Sequence, residues 1–136
     1  MKSENRKYFT NPQKEVNMSQ QLKDRTKALG IRVIKMVKEI KGNKVEDILI
    51  RQIVRSATSA GANYRSALRA RSSPDFISKI TVAEEEADET CYWLEIMIEI
   101  GVFAKDRLEP LLKETQEITA ILSTSGKTAK DKLKRK

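Results

Sequence analysis

Apolar residues recur every three or four positions in four stretches of the chain, with polar residues between them, which is the pattern of amphipathic helices. The predicted helices cover residues 20–41, 44–72, 74–100 and 105–124. Amphipathic helices joined by short connections predict an all-α fold, an antiparallel up-down-up-down four-helix bundle. The chain therefore divides into a disordered N-terminal arm (1–19), the bundle (20–125) and a basic, disordered C-terminal tail (126–136).

Polar residues at the predicted boundaries carry helix-start signals. Asn43 followed by Glu46 predicts a capping box at the second helix, and Asp106 followed by Glu109 predicts one at the fourth. The run Ser72-Ser73-Pro74-Asp75 marks the start of the third helix, with a serine to cap it and proline in its first turn.

The third predicted helix carries two apolar faces on nearly opposite sides. One face includes Ile80 and Leu94, and the other consists of Val82, Trp93, Ile96 and Ile100. Because a helix of a monomeric bundle needs only one buried stripe, the second face predicts an oligomer interface. A helix buried on both sides within its own domain, or a single exposed tryptophan, is the alternative.

The net charge of +8 is unevenly distributed along the chain. The third helix is acidic, so the surplus positive charge falls on the first helix and the two tails. This pattern is typical of a protein with a polyanionic partner, RNA or DNA, and a charge that serves solubility alone is an equal alternative. The predicted phosphate-binding residues are Lys23, Arg25, Lys27, Arg32, Lys35, Lys38, Lys127, Lys130, Lys132, Lys134, Arg135 and Lys136.

Polar residues in the middle of the second and third helices predict a structural network. Its members are Arg55, Asn63 and Arg65 on the second helix and Glu85, Asp88 and Glu89 on the third. Arginine–carboxylate pairs of this kind fix helix register or subunit orientation more than they add stability. A recognition site at a subunit boundary is the alternative reading of the same residues.

Residue types that catalysis needs are scarce, and we predict no enzyme activity and no cofactor. Histidine is absent, so a Glu-x-x-His di-iron site is excluded, and the chain has no glycine-rich phosphate loop. The carboxylates between Glu84 and Glu89 allow a magnesium site, but nothing supports one. Cys91 lies on an apolar stripe and is predicted to be an inert core thiol. A single cysteine, with neither a signal peptide nor a membrane-spanning run, predicts a cytoplasmic protein.

Several short motifs of the central helices carry a family resemblance. They are Arg55–Ser59, Gly61–Tyr64, Asp75–Ile77, Glu85–Thr90 and Tyr92–Leu94. With these motifs, residues 20–123 resemble the 23S ribosomal RNA intervening-sequence proteins, known from insertions in bacterial large-subunit rRNA genes. Pro110 and the basic tail depart from the family pattern.

The resemblance implies a left-handed antiparallel bundle that assembles into a ring-like homopentamer, without enzymatic activity. The chain also looks like the accessory protein of diversity-generating retroelements, which binds nucleic acid and a reverse transcriptase. Two functions follow from the resemblance and the charge pattern together. The first is an oligomeric adaptor that binds nucleic-acid phosphates, and the second is a bundle that binds only protein, such as the product of a neighbouring gene.

Overall fold

Four long helices make up the computed structural model, which describes residues 12–135. They are α1 (Pro12–Val37), α2 (Lys44–Ala67), α3 (Ser73–Glu99) and α4 (Lys105–Lys134). The described part of the chain contains no strand, so the predicted all-α class is confirmed. α2 packs broadly against α1 and α3, and α3 packs broadly against α4, whereas α1 touches α4 less extensively.

The start of α1 lies further upstream than predicted. The prediction of a disordered arm is wrong for residues 12–19, because α1 begins at Pro12. Proline suits the first turn of a helix, where its fixed φ is already helical and its missing N–H is not needed. About two turns further on, Gln20 donates a hydrogen bond to Asp24 at 2.9 Å. Residues 1–11 of the predicted arm lie outside the described residues.

The end of α4 also differs from the prediction. The tail 126–136 is helical as far as Lys134, and Gly126 is the last buried residue on the inward stripe of the helix. Gly126 is buried against α3, where a methyl group on its Cα would lie 3.5 Å from Cγ2 of Ile80. Packing therefore reaches the first residue of the predicted tail, and the helix continues beyond it with mostly exposed residues. Lys136 lies outside the described residues.

Side chains cap α2 and α3 as predicted. The side chain of Asn43 accepts hydrogen bonds from the backbone N–H groups of Val45 (2.9 Å) and Glu46 (3.1 Å). The carboxylate of Glu46 accepts one from the backbone N–H of Asn43 at 2.8 Å, which completes the capping box. At α3, the hydroxyl of Ser72 accepts a hydrogen bond from the backbone N–H of Asp75 at 3.2 Å.

The predicted capping box of α4 is wrong. The capping position is Ala104, one residue before the helix, and no side chain makes a capping hydrogen bond there. Asp106 consequently lies inside the first turn, where its charge favours the helix dipole. Glu109 instead forms an exposed ion pair with Lys105 at 3.6 Å. Pro110 lies within α4, which continues past it.

Each helix contributes one apolar stripe to a single core. The fully buried side chains include Leu29, Val33, Ile53, Ile80, Leu94, Ile118 and Leu122. One polar pair interrupts this core: the buried hydroxyls of Ser56 on α2 and Thr90 on α3 lie 2.8 Å apart and share a hydrogen bond. Because each hydroxyl has a partner, the pair can be buried without an unsatisfied polar group.

Candidate nucleic-acid interface

The cations of α1 lie on two different sides of the helix. Lys23 and Lys27 border a groove of about 590 Å³ between α1 and α2, whereas Arg32 and Lys35 border a smaller groove of about 230 Å³ between α1 and α4. Lys38 is exposed just beyond the end of α1. The predicted phosphate-binding cations of α1 are therefore divided between two grooves.

Arg25 is held in an ion pair. Its guanidinium donates two hydrogen bonds to the carboxylate of Glu114 on α4, at 2.9 Å and 2.6 Å, and Glu117 lies 3.7 Å away. The hydrogen bond from Arg25 lowers the pKa of Glu114, and the same bond raises the pKa of Arg25. Arg25 thus fastens α1 to α4 and is less available to a phosphate than its neighbours on α1.

Acid should weaken the fold through this ion pair. Because the folded pKa of Glu114 lies below its ordinary value of 4.5, the stabilisation is present above that pH and is lost as the pH falls through the folded pKa. We expect Arg25→Gln to cost about 1 kcal/mol or less near neutral pH, since the pair is only partly buried. We also expect a smaller further loss of stability on acidification than in the unaltered chain.

Urea unfolding of both chains at about pH 7 and about pH 3, at one protein concentration, measures this difference. Lys113→Gln is the matched control, because Lys113 is an exposed cation near Glu114 on α4 with no ion pair in the described residues. An unchanged acid dependence in Arg25→Gln would show that the pair does not contribute.

Arg107 is a further cation at the smaller groove, and the sequence analysis did not predict it. It lies in the first turn of α4, pairs with Glu39 of α1, and stacks over the ring of Phe103 at 4.4 Å from the ring centroid. Arg32 and Lys35 border the same groove from α1. No spacing signal marks Arg107, because its position beside α1 depends on how the helices pack.

The cations of the C-terminal segment follow a helical pattern. Lys127, Lys130 and Lys134 are spaced by three and four residues, so they project from one face of α4, and all three are exposed. Lys132 and Arg135 are also exposed, on other sides of the helix. A helical segment presents these charges at fixed intervals, which a disordered tail would not do.

The predicted structural network forms only in part. Arg55 donates hydrogen bonds to Glu86 at 2.8 Å and to Glu89 at 2.7 Å, and this joins α2 to α3. The hydrogen bond from Arg55 lowers the pKa of Glu89. Glu86 was missed by sequence reasoning, which placed Glu85 and Asp88 in the network instead.

The other predicted network members lie elsewhere. Asn63 bonds within its own helix, to the backbone and side chain of Ser59 at 2.9 Å each. Arg65, Glu85 and Asp88 are exposed and form no ion pair within residues 12–135.

The residues predicted at an oligomer interface differ in exposure. Val82 and Ile100 are exposed to 38% and 54%, whereas Trp93 and Ile96 are half-buried and pack against the core. The indole N–H of Trp93 also donates to Glu89 at 3.2 Å. Part of the second apolar face of α3 is therefore covered by its own chain. Its role at an interface stays a prediction.

Catalytic and metal-binding groups are not brought together in the described residues. Cys91 is buried, and burial raises the pKa of its thiol to about 11, so the thiol is protonated near neutral pH. Within residues 12–135 no three carboxylates or thiols are placed to hold a metal ion. None of the helices in this range is long and apolar enough to cross a membrane.

Comparison with known proteins identifies the family. The family model described as 23S rRNA-intervening sequence protein matches residues 18–124. The chain is also similar to a crystal structure of a protein of unknown function from the S23 ribosomal protein family of Bacteroides thetaiotaomicron. The identity is 34%, the TM-score is 0.74, and the match covers 80% of this chain and 97% of that one. No curated protein matches. The chain belongs to the 23S rRNA-intervening sequence protein family.

Proposed function

We propose that this chain is a non-enzymatic, oligomeric bundle that binds the phosphates of RNA or DNA through exposed cations of α1 and α4. One observation carries the proposal. Arg32, Lys35 and Lys38, together with Lys127, Lys130 and Lys134, are exposed and form no ion pair with any residue of the described range. Exposed cations that form no ion pair are the groups that replace the counterions of a nucleic acid. We also propose that the protein is cytoplasmic.

Contacts between helices support the antiparallel course of the proposed bundle. Arg25 of α1 pairs with Glu114 of α4, and Glu39, further along α1, pairs with Arg107, which lies earlier in α4. The two helices therefore advance in opposite directions. The ring-like homopentamer is proposed from the family and from the apolar side chains that α3 leaves exposed. A ring would repeat each cationic surface, so weak contacts would add by avidity.

The proposed binding is tolerant of base sequence. Aromatic residues make up only 5% of the chain, and bases need aromatic side chains on which to stack. Phosphate contacts position a nucleic acid without reading its sequence. We expect ribosomal RNA fragments and duplex DNA to bind with similar dependence on salt.

Charge reversal tests the assignment of the surface. The variant K35E/K38E/K130E should lose most of its affinity for both nucleic acids, because three phosphate contacts become repulsive. Its plot of log affinity against log salt should be flatter, by about 0.9 per lost contact on duplex DNA. Fluorescence anisotropy of a labelled RNA fragment or duplex measures both quantities.

The variant K44E/R51E/R69E is the matched control, since it reverses three exposed cations near α2 and changes the net charge equally. It should retain most of the affinity, and both variants should keep the mass of the unaltered particle in light scattering. Equal losses in the two variants would mean that net charge, and no particular surface, governs binding. Absence of binding by the unaltered chain would favour the protein-binding alternative.

A further inference from the structure

The α1–α2 groove is lined by small and apolar residues and bordered by cations. Gly30, Gly61 and Ala62 leave its floor without large side chains, and Ile31, 44% exposed, stands at its edge with Ile34. The charged residues around it are Lys23, Asp24, Lys27 and Arg65, so its border is net positive. The groove is therefore an open surface with a floor of small residues, apolar side chains at its edge and a cationic border.

A row of exposed residues on α3 has the opposite charge. Every third or fourth residue faces solvent here, and we call this set the acidic stripe: Glu85, Asp88, Tyr92, Glu95 and Glu99. None of its four carboxylates takes part in an ion pair within the described range. Tyr92 is 53% exposed at its centre, and Val82, 38% exposed, continues the row. Four unpaired carboxylates around a tyrosine suit a partner with an apolar floor and a cationic border.

We propose that the α1–α2 groove receives the acidic stripe of a second copy of this chain. Charge favours this pairing, because the net positive border of the groove meets four carboxylates. Length favours it too: the stripe from Glu85 to Glu99 and the groove from Gln20 to Ile34 each span fourteen helical steps, about 21 Å. The ring of Tyr92 supplies an aromatic anchor for the open floor.

The pairing joins two different surfaces of the chain. Each copy can therefore bind the acidic stripe of one neighbour in its groove and place its own stripe in the groove of another. Such a heterologous contact builds a ring when the rotation between copies closes. A contact between two acidic stripes would instead bring eight carboxylates together, which is repulsive. The inference rests on the proposed homo-oligomer, and it moves Lys23 and Lys27 from the phosphate-binding surface to the subunit interface.

Reversal of charge on one surface at a time tests the pairing. K27E/R65E makes the groove border acidic, and E85K/E95K makes the stripe basic; all four residues are exposed. Either variant should release chains of 15.5 kDa in light scattering at concentrations where the unaltered protein is larger. The chain with all four changes should recover the original mass, because its reversed groove again faces a stripe of opposite charge. Circular dichroism checks that every variant keeps its helices.

Cross-linking provides a second measurement that does not depend on charge. With Cys91 replaced by serine, a chain carrying A62C and Y92C should form disulfides between copies on oxidation. It should give a ladder of covalent oligomers, whereas chains with only one of the two cysteines should not. Both positions are exposed, one at the groove and one on the stripe.

The possible failures are distinguishable. An unaltered chain that is a monomer overturns the homo-oligomer and this pairing together, while its binding to nucleic acid can still be measured. An oligomer that survives both single-surface reversals, or that fails to form the ladder, overturns the pairing alone. The groove would then belong to another partner.

Discussion

Replacing Ile53 by alanine should lower the free energy of unfolding by about 2–5 kcal/mol. Ile53 lies in the middle of α2, between α1 and α3, and none of its surface is exposed. Alanine would remove three methyl or methylene groups from a site that close-packed neighbours on two helices cannot readily fill. Both lost transfer energy and an unfilled cavity contribute to the cost.

Ile48→Ala is the matched control on the same helix. Ile48 is 57% exposed, five residues before Ile53, so the same truncation should change stability by about 0.5 kcal/mol or less. Urea unfolding at one protein concentration measures both variants. Equal losses of stability at the two positions would contradict the assignment of Ile53 to the side of α2 that faces the core.

Replacing Gly61 by alanine should destabilise the bundle by about 1–2 kcal/mol, although alanine is the better helix former. A Cβ atom at Gly61 would lie 3.2 Å from the backbone oxygen of Thr26 and 3.3 Å from its carbonyl carbon. These are backbone atoms of α1, so they cannot turn away as a flexible side chain would. The whole of α1 would have to move outward from α2.

Gly126→Ala should have the opposite sign. There the new Cβ would meet only Cγ2 of Ile80, at an ordinary contact distance of 3.5 Å. Helix propensity then dominates, and we expect a gain of up to about 1 kcal/mol. The two variants, unfolded in urea side by side, test the close approach of α1 to α2. A gain of stability in Gly61→Ala would contradict the close contact between α1 and α2.

Much of the fold is predictable from spacing alone. In α4 the residues that recur every three or four positions, such as Leu108, Thr115 and Leu122, are buried. Spacing succeeds here because burial on one side of a helix leaves a period that no other structure produces. Capping at Asn43 is predictable for a similar reason, since it depends on residues only three positions apart.

Next to each helix end that prediction misses lies a contact with another helix. Residues 12–19 show no apolar period, and a contact with another helix becomes visible only in the folded chain, where Ser19 lies beside the phenol group of Tyr64 of α2. Gly126 is a typical helix stop by composition, yet it is buried against Ile80 of α3. These contacts join residues that are far apart in the chain, so the local sequence does not predict them.

The candidate site shows the same limit. Exposed cations are predictable by residue type, but which of them stay unpaired depends on the register between distant helices. Arg25 and Glu114 are 89 positions apart, and no local pattern links them. The division of the α1 cations between two grooves likewise follows from the positions of α2 and α4.

Binding of nucleic-acid phosphates is the central claim, and a salt titration tests it most directly. The measurement is the affinity of the unaltered chain for a ribosomal RNA fragment between about 50 and about 200 mM salt. We predict that log affinity falls linearly with log salt, by about a thousandfold or more over this range if six or more phosphates are neutralised. No binding at about 50 mM salt, or an affinity that does not change with salt, would contradict the claim.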